Sequence, residues 1–306
     1  LTIASASAPP SRRVALKLAL GATAISFAAI FFRLAAPADP LLASAMRLGI
    51  AALCLWPLAR RRGRPPASPA LVRAGRLAGL LYALHFGTWV ASLSLTSVAA
   101  SVTLVTATPL LLAVLAFVLG RDRPTLAQVG AILLAAMGVA LIGGVDLGQG
   151  QLLGDALALG GAFAMAGYLF VARSLGPELD SLELSLRAAG WGAVFLGLAV
   201  IVASPFRDAL QWPTSEGLGW IVLAALVPQL IGHTLLTSAL TRATPTEVGL
   251  ATAAEPVLST LLAWVWLSEL PGPLVLVGCG VALIGVVAGV AAGGASRKSS
   301  VGSGAC

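Results

Sequence analysis

The sequence is a succession of long apolar runs separated by short breaks, and no other feature limits the fold as strongly. Ten runs can be placed, at about residues 14–34, 40–59, 74–94, 97–119, 126–144, 152–173, 181–203, 217–240, 246–267 and 273–293. Each lies near the roughly 20 residues that carry a helix across a hydrocarbon core of about 30 Å. The breaks have turn chemistry, as in Ala36-Pro37-Ala38-Asp39-Pro40, Gly120-Arg121-Asp122-Arg123-Pro124 and Gly176-Pro177-Glu178. Arg60 to Ser68 is a basic, Pro-rich loop, and Leu95-Thr96 is so short that the runs on either side must form a tight hairpin. The predicted fold is an all-α integral membrane protein of ten transmembrane helices.

Charge supports that reading. Only 10% of the 306 residues are charged, against about 25% in a soluble domain. So few charges cannot coat a soluble surface of this size, whereas a lipid-facing surface needs none. The net charge of +7 does not point to nucleic acid, because the basic residues sit between apolar runs and no aromatic-basic motif accompanies them. It points to topology, since cytoplasmic loops of membrane proteins carry the Lys/Arg excess. With the N-terminus inside, the cytoplasmic segments hold Arg12, Arg13, Lys17, Arg60, Arg61, Arg62, Arg64, Arg73, Arg76, Arg121, Arg123, Arg173, Arg242, Arg297 and Lys298. The other side holds Arg207, with Arg33 at a helix end. The expected placement is a bacterial inner membrane, multi-pass, with both termini cytoplasmic. The first run follows a basic segment, as in a signal peptide, but it is too long for a signal's apolar region and is read as an uncleaved first span. The sequence opens on Leu1, an N-terminus expected to be incomplete.

The two halves repeat each other. Leu18-Ala19-Leu20-Gly21 recurs as Leu157-Ala158-Leu159-Gly160, and Arg47 early in the second run matches Arg187 early in the seventh. Thr108-Pro109-Leu110-Leu111 matches Glu255-Pro256-Val257-Leu258, Asp122-Arg123-Pro124 matches Glu269-Leu270-Pro271, and Gly138 matches Gly285. From Pro109 to Gly138 the offset is a constant 147 residues. Chance alignment of apolar sequence yields Leu and Ala matches, but not a proline, an acid-x-proline and a glycine in register. The units are 14–144 and 152–293, each of five spans. Five is odd, so the second copy enters the membrane from the opposite side, and inverted repeats are a recurring architecture of secondary transporters.

With these features the chain resembles the EamA family of the drug/metabolite transporter superfamily. The carrying residues are the paired five-helix units, Arg47-Leu48-Gly49-Ile50-Ala51-Ala52, Leu95-Thr96-Ser97-Val98-Ala99-Ala100, Glu255-Pro256-Val257 and Trp266-Leu267-Ser268-Glu269. The resemblance covers about residues 14–293, and within the family the chain is most similar to bacterial exporters of aromatic amino acids (YddG type). It implies an exporter or exchanger of small organic solutes, most of all amino acids, working by alternating access of two inverted repeats. The first half departs from the family's acid-Pro pattern by carrying Thr108 before Pro109, so a symmetric role for the two positions does not follow. The other readings are an intramembrane enzyme acting on a lipid-linked substrate, which would need a cluster of acids, His or Ser at one membrane face that is not visible, and a channel.

Polar groups deep in a span mark a pathway or a partner. Glu255 is read as a protonatable group or an amine contact, or else as a carboxylate held by Thr or backbone groups beside Pro256. Pro109 and Pro256 are expected as kinks or hinges near the centre. Tyr82, His85 and Trp89 are spaced to share one helical face, which could stack on a planar solute or serve as packing. His233, with Gln229 one turn earlier and Thr237 one turn later, is the matching candidate in the eighth run. The candidate substrate-binding set is thus Tyr82, His85, Trp89, Gln229, His233 and Glu255, lining one central cavity, with Tyr168 and Trp191 as weaker candidates. Arg47 and Arg187 could snorkel, cap carbonyls or hold a substrate carboxylate, and a structural role is expected of them. Cys54, Cys279 and Cys306 form no metal or disulfide spacing. No phosphate-binding Gly loop or catalytic motif occurs, so no catalytic residues, metal or cofactor are expected. The expected partners are a small-molecule substrate and membrane lipid.

Overall fold

The structure, a computed structural model, describes residues 12–61, 69–119, 125–146, 151–174, 181–203, 210–236, 252 and 254–302. Among these residues all regular structure is helical. The helices are α1 (Arg12–Ser26), α2 (Ala28–Leu34), α3 (Pro40–Arg61), α4 (Pro69–Ser92), α5 (Val98–Val105), α6 (Thr108–Val118), α7 (Leu126–Asp146), α8 (Leu152–Ser174), α9 (Ser181–Ala203), α10 (Ser215–Ala224), α11 (Glu255–Leu267) and α12 (Pro273–Gly302). A π-helical segment, Ala225–His233, continues α10. Among the described residues five stretches are long and apolar enough to cross a membrane: Arg13–Leu34, Pro40–Arg61, Leu152–Ala172, Leu182–Ala203 and Ser215–Leu236. Shorter apolar helices occur at Val98–Leu112, Leu126–Leu141, Glu255–Leu267 and Pro273–Gly289. The sequence expectations for Asp122 and its turn, Gly176-Pro177-Glu178, Arg207, Thr237 and Arg242 lie outside the described residues.

Local chemistry sets the helix ends. The Asp39 side chain accepts from the N–H groups of Leu41 (2.9 Å) and Leu42 (3.1 Å), with Pro40 in the first turn of α3. Ser97 caps α5 through the Ala100 N–H at 3.1 Å. Thr125 and Gln128 cap α7 reciprocally, each side chain accepting from the other's N–H. Ser268, in the left-handed region at φ 53°, ends α11. Large apolar side chains such as Leu53, Leu133, Ile201 and Val265 stand exposed, as a lipid-facing surface requires.

Three runs are less regular than their periodicity predicts. The first breaks at Phe27, between α1 and α2. There the Ser26 hydroxyl donates back to the Ala22 carbonyl (2.8 Å), a contact that bends helices, and the Ser26 carbonyl accepts from Ser259 (2.9 Å). The fourth breaks at Thr106–Ala107, where the hydroxyls of Thr106 and Thr108 take the carbonyls of Val102 and Val105, both at 2.7 Å. Pro109 therefore opens a new helix, and Pro256 does the same in α11. At a helix start the missing proline N–H costs nothing, so Pro109 marks a break between α5 and α6, and Pro256 sits in the first turn of α11. In the eighth run Pro228 cannot donate to the helical ladder, and the backbone around it takes the wider π register.

Most of the packing between the halves follows one rule. With the ten runs numbered in order, the second lies on the seventh (α3 on α9), the fourth on the ninth (α5 on α11) and the fifth on the tenth (α7 on α12). The third lies on the sixth and the seventh (α4 on α8 and α9), while the first and second lie on the eighth (α1 and α3 on the π segment). The fourth also touches the sixth (α6 on α8), and the first touches the ninth (α1 on α11). Exchanging each run for the one five later maps these pairs onto themselves, whereas the contacts of α3 with α4 and of α12 with α5 and α6 have no comparable counterpart among the described residues. The α7–α12 crossing repeats the rule at atomic scale. A Cβ on Gly138 would meet the Ala282 backbone, and a Cβ on Gly285 would meet the Ala135 backbone. The two glycines and the two alanines are each 147 residues apart. Small residues let membrane helices approach this closely.

Candidate functional site

Helical spacing gathers the interior's polar chemistry. On α4, Tyr82, His85, Phe86 and Trp89 fall on one face. The His85 ring stacks parallel to Trp89 (6.0 Å between centroids, 10° between planes) and meets Phe86 edge-on at 4.5 Å. Tyr82 packs edge-on to Phe86 at 4.8 Å and against Tyr168 of α8 at 4.9 Å. Phe32 of α2 meets Trp89 edge-on at 6.0 Å, and His233 approaches Phe86 at 6.4 Å. His85 Nδ1 lies 2.9 Å from the Gly161 carbonyl oxygen. A carbonyl only accepts, so Nδ1 carries a proton.

Arg47 is the hub of this cluster. It is 0% exposed, which rules out snorkelling. Its Nη2 donates to Gln229 Oε1 at 2.9 Å, and Gln229 Nε2 donates to the Tyr82 hydroxyl at 3.0 Å. One amide thus joins α3, α4 and the π segment, using its acceptor on one side and its donor on the other. The guanidinium lies over the Phe86 ring at 4.3 Å and near Phe32 at 5.4 Å, a favourable arrangement for a cation. Arg47 Nε and Nη1 and Trp89 Nε1 have no hydrogen-bond partner among the described residues. Glu255, half-buried in the first turn of α11, attracts Arg47 through space, yet no direct ion pair joins them.

At one end of the bundle a second polar cluster draws three connections together. Arg33, closing α2, donates to the Leu93 carbonyl at the end of α4 and to Glu269 Oε2 in the loop after α11. Glu269 Oε1 accepts the Val98 N–H that opens α5, at 2.6 Å. Beside it Thr96 donates to Asp155 at 3.0 Å, and a Cβ on Gly154 would strike the Leu95 backbone. This end is closed by polar contacts and close backbone packing.

The model of the EamA-like transporter family matches the chain twice, over residues 12–144 and 152–290. The chain belongs to the EamA-like transporter family. It is therefore a membrane transporter of small molecules, in a family of transporters and not enzymes. Among curated proteins no relative matches. One solved crystal structure of a protein aligns over 90% of this chain and 96% of its own, with a TM-score of 0.63 and 20% identity, so the two share the fold.

In this EamA-like transporter five of the six candidate residues pack together, and the sixth, Glu255, makes no hydrogen bond or ion pair with them among the described residues. Tyr82, His85, Trp89 and Gln229 are buried in one cluster, His233 is half-buried at its edge, and Glu255 lies within the field of its central cation. A cleft of about 250 Å³ lies elsewhere, along α9, lined by Glu183, Leu186, Arg187, Gly190, Trp191 and Val194. Trp191 thus belongs to a different face from Tyr168, which touches Tyr82. Arg47 is the residue whose weight the sequence understated. The available signal was a cation amid Met46 and Leu48, which a membrane interior tolerates only with a partner.

Proposed function

We propose that this transporter exports or exchanges amino acids, aromatic ones foremost, by alternating access of two inverted five-helix repeats, 14–144 and 152–293, in a bacterial inner membrane. The observation that carries the reading is the Arg47–Gln229–Tyr82 chain, a buried polar relay beside stacked aromatic rings that joins helices of both halves. Buried polar groups in a membrane bundle are costly and mark the pathway. Aromatic faces stack on a planar solute, worth roughly 0.5–1.5 kcal/mol beyond area burial. Tyr82, His85, Trp89, Gln229, His233 and Glu255 are the proposed binding set.

Ten spans are favoured by the ten runs and by a helix pairing that survives exchange of the halves. Inversion follows from the odd number of spans per half, and cytoplasmic termini from the Lys/Arg distribution. On that topology the Arg33–Glu269 cluster closes the outer end, and opening it requires α2, α5 and the α11–α12 loop to part. Pro109 and Pro256, each in the first turn of its helix, are the proposed hinges. The test is counterflow of labelled phenylalanine and other amino acids into proteoliposomes. Saturable uptake with competition among substrates is expected; flux that rises linearly with concentration would indicate a channel and overturn the carrier reading.

A further inference from the structure

We propose that Arg47 is the receptor for the substrate carboxylate and Glu255 the partner for its ammonium group, so that the site selects zwitterions. The inference rests on the transport reading above and names the chemistry of its site.

The charge balance around Arg47 is unfinished among the described residues. Arg47 is fully buried, and a buried cation is stable only when paired and hydrogen-bonded. Among the described residues it has one hydrogen bond, to a neutral amide, and two aromatic rings against its face. Its Nε and Nη1, one edge of the guanidinium fork, have no partner among the described residues. That edge matches a carboxylate in bidentate geometry. The groups facing Arg47 are Phe32 from α2, Tyr82 and Phe86 from α4, Gln229 from the π segment and, through space, Glu255 from α11. Glu255 supplies the opposite charge without closing the pair. A solute with both charges satisfies the two residues at once, whereas an anion or an amine satisfies one.

The protein's own symmetry separates this arrangement from ordinary packing. Arg187, the matching cation of the second half, is neutralised by Glu183 one turn earlier, at 2.7 Å. Thr108, which matches Glu255, gives its hydroxyl to Val105. Arg47, whose charge has no ionic partner among the described residues, lies in the aromatic cluster, and Glu255, whose charge bears on it through space, comes from the opposite half.

The experiment measures inhibition of phenylalanine counterflow by phenylalanine, its methyl ester, phenethylamine and 3-phenylpropionate. For the wild type each analogue lacking one charge should bind about 10- to 100-fold more weakly. In Arg47→Gln the preference for phenylalanine over its methyl ester should fall to less than about threefold, and in Glu255→Gln the preference over 3-phenylpropionate should fall likewise. An Arg47→Gln protein that keeps the wild-type preference overturns the assignment while leaving the transport reading intact. Absence of saturable amino-acid flux in the wild type overturns both. Should Arg47→Gln fail to assemble, the wild type alone decides through thermal stabilisation in detergent. Phenylalanine should raise its melting temperature and the methyl ester should not; equal shifts overturn the assignment.

Discussion

Arg47 and Arg187 hold matching places in the two halves, yet they do opposite things. Arg47 is 0% exposed, shares a hydrogen bond with Gln229 and has two nitrogens without a partner among the described residues. Arg187 remains 19% exposed in its side chain and binds Glu183 on its own helix, while its stem packs over Gly75 of α4. Thr108 and Glu255 differ in the same way, the first self-satisfied and the second held in a distant cation's field. By contrast, Gly138 and Gly285 make the same contact with Ala282 and Ala135. Backbone packing keeps the repeat's symmetry, and side-chain chemistry breaks it at the centre. A carrier gains from both: equivalent halves can exchange roles in opening, while a chiral, charged solute needs an asymmetric site.

The largest effect should come where symmetry is kept. Gly138→Leu and Gly285→Leu each drive a side chain into the facing backbone, and overpacking costs about 1–3 kcal/mol or more. Both should lower the thermal stability of detergent-extracted protein by similar amounts. A large loss in one and none in the other would break the symmetry argument.

The next effect should come where symmetry is broken. Arg47→Gln should weaken phenylalanine transport by more than about tenfold, the loss of a charged hydrogen bond. Arg187→Gln removes an i,i+4 pair worth about 0.3–0.5 kcal/mol and should change transport by less than about threefold. Glu255→Gln against Thr108→Val should repeat the contrast. Equal losses in either pair of variants, measured as KM and maximal rate in proteoliposomes, would show that the positions act alike.

The smallest effect belongs to the closed end. The side chains of Arg33 and Glu269 are 31% and 17% exposed, and partly solvated pairs contribute about 0–1 kcal/mol. Glu269→Gln should raise labelling of an introduced Ser97→Cys by a membrane-impermeant thiol reagent, by no more than about fivefold. Unchanged labelling would mean that this cluster does not help to close the outer end.

Much of this was legible in the sequence, and the remainder was hidden for definite reasons. Apolar runs mark helices because membrane burial demands them, whereas Pro109 and Pro256, read as kinks or hinges within their runs, stand in the first turns of α6 and α11. The break at Phe27 carries no proline or glycine; it depends on a hydroxyl at Ser259, 233 residues away. The π register follows from how Pro228 sits in its bundle. Tyr82, His85 and Trp89 could be grouped because i, i+3 and i+7 are local geometry. The role of Arg47 could not, because its partner Gln229 lies 182 residues on, and only the folded chain reveals that Arg187 has a neutralising acid while Arg47 has none in contact among the described residues.

The central claim is that the aromatic and polar cluster between the halves binds the transported solute. Its most direct test is the KM for phenylalanine counterflow in proteoliposomes containing Trp89→Ala, with the amount of folded protein matched to wild type. Loss of one good stacking contact, about 1.4 kcal/mol, should raise KM about tenfold. A KM equal to wild type at equal protein, together with an unchanged KM for His85→Ala, would contradict the account and place these rings in the packing of α4 against its neighbours.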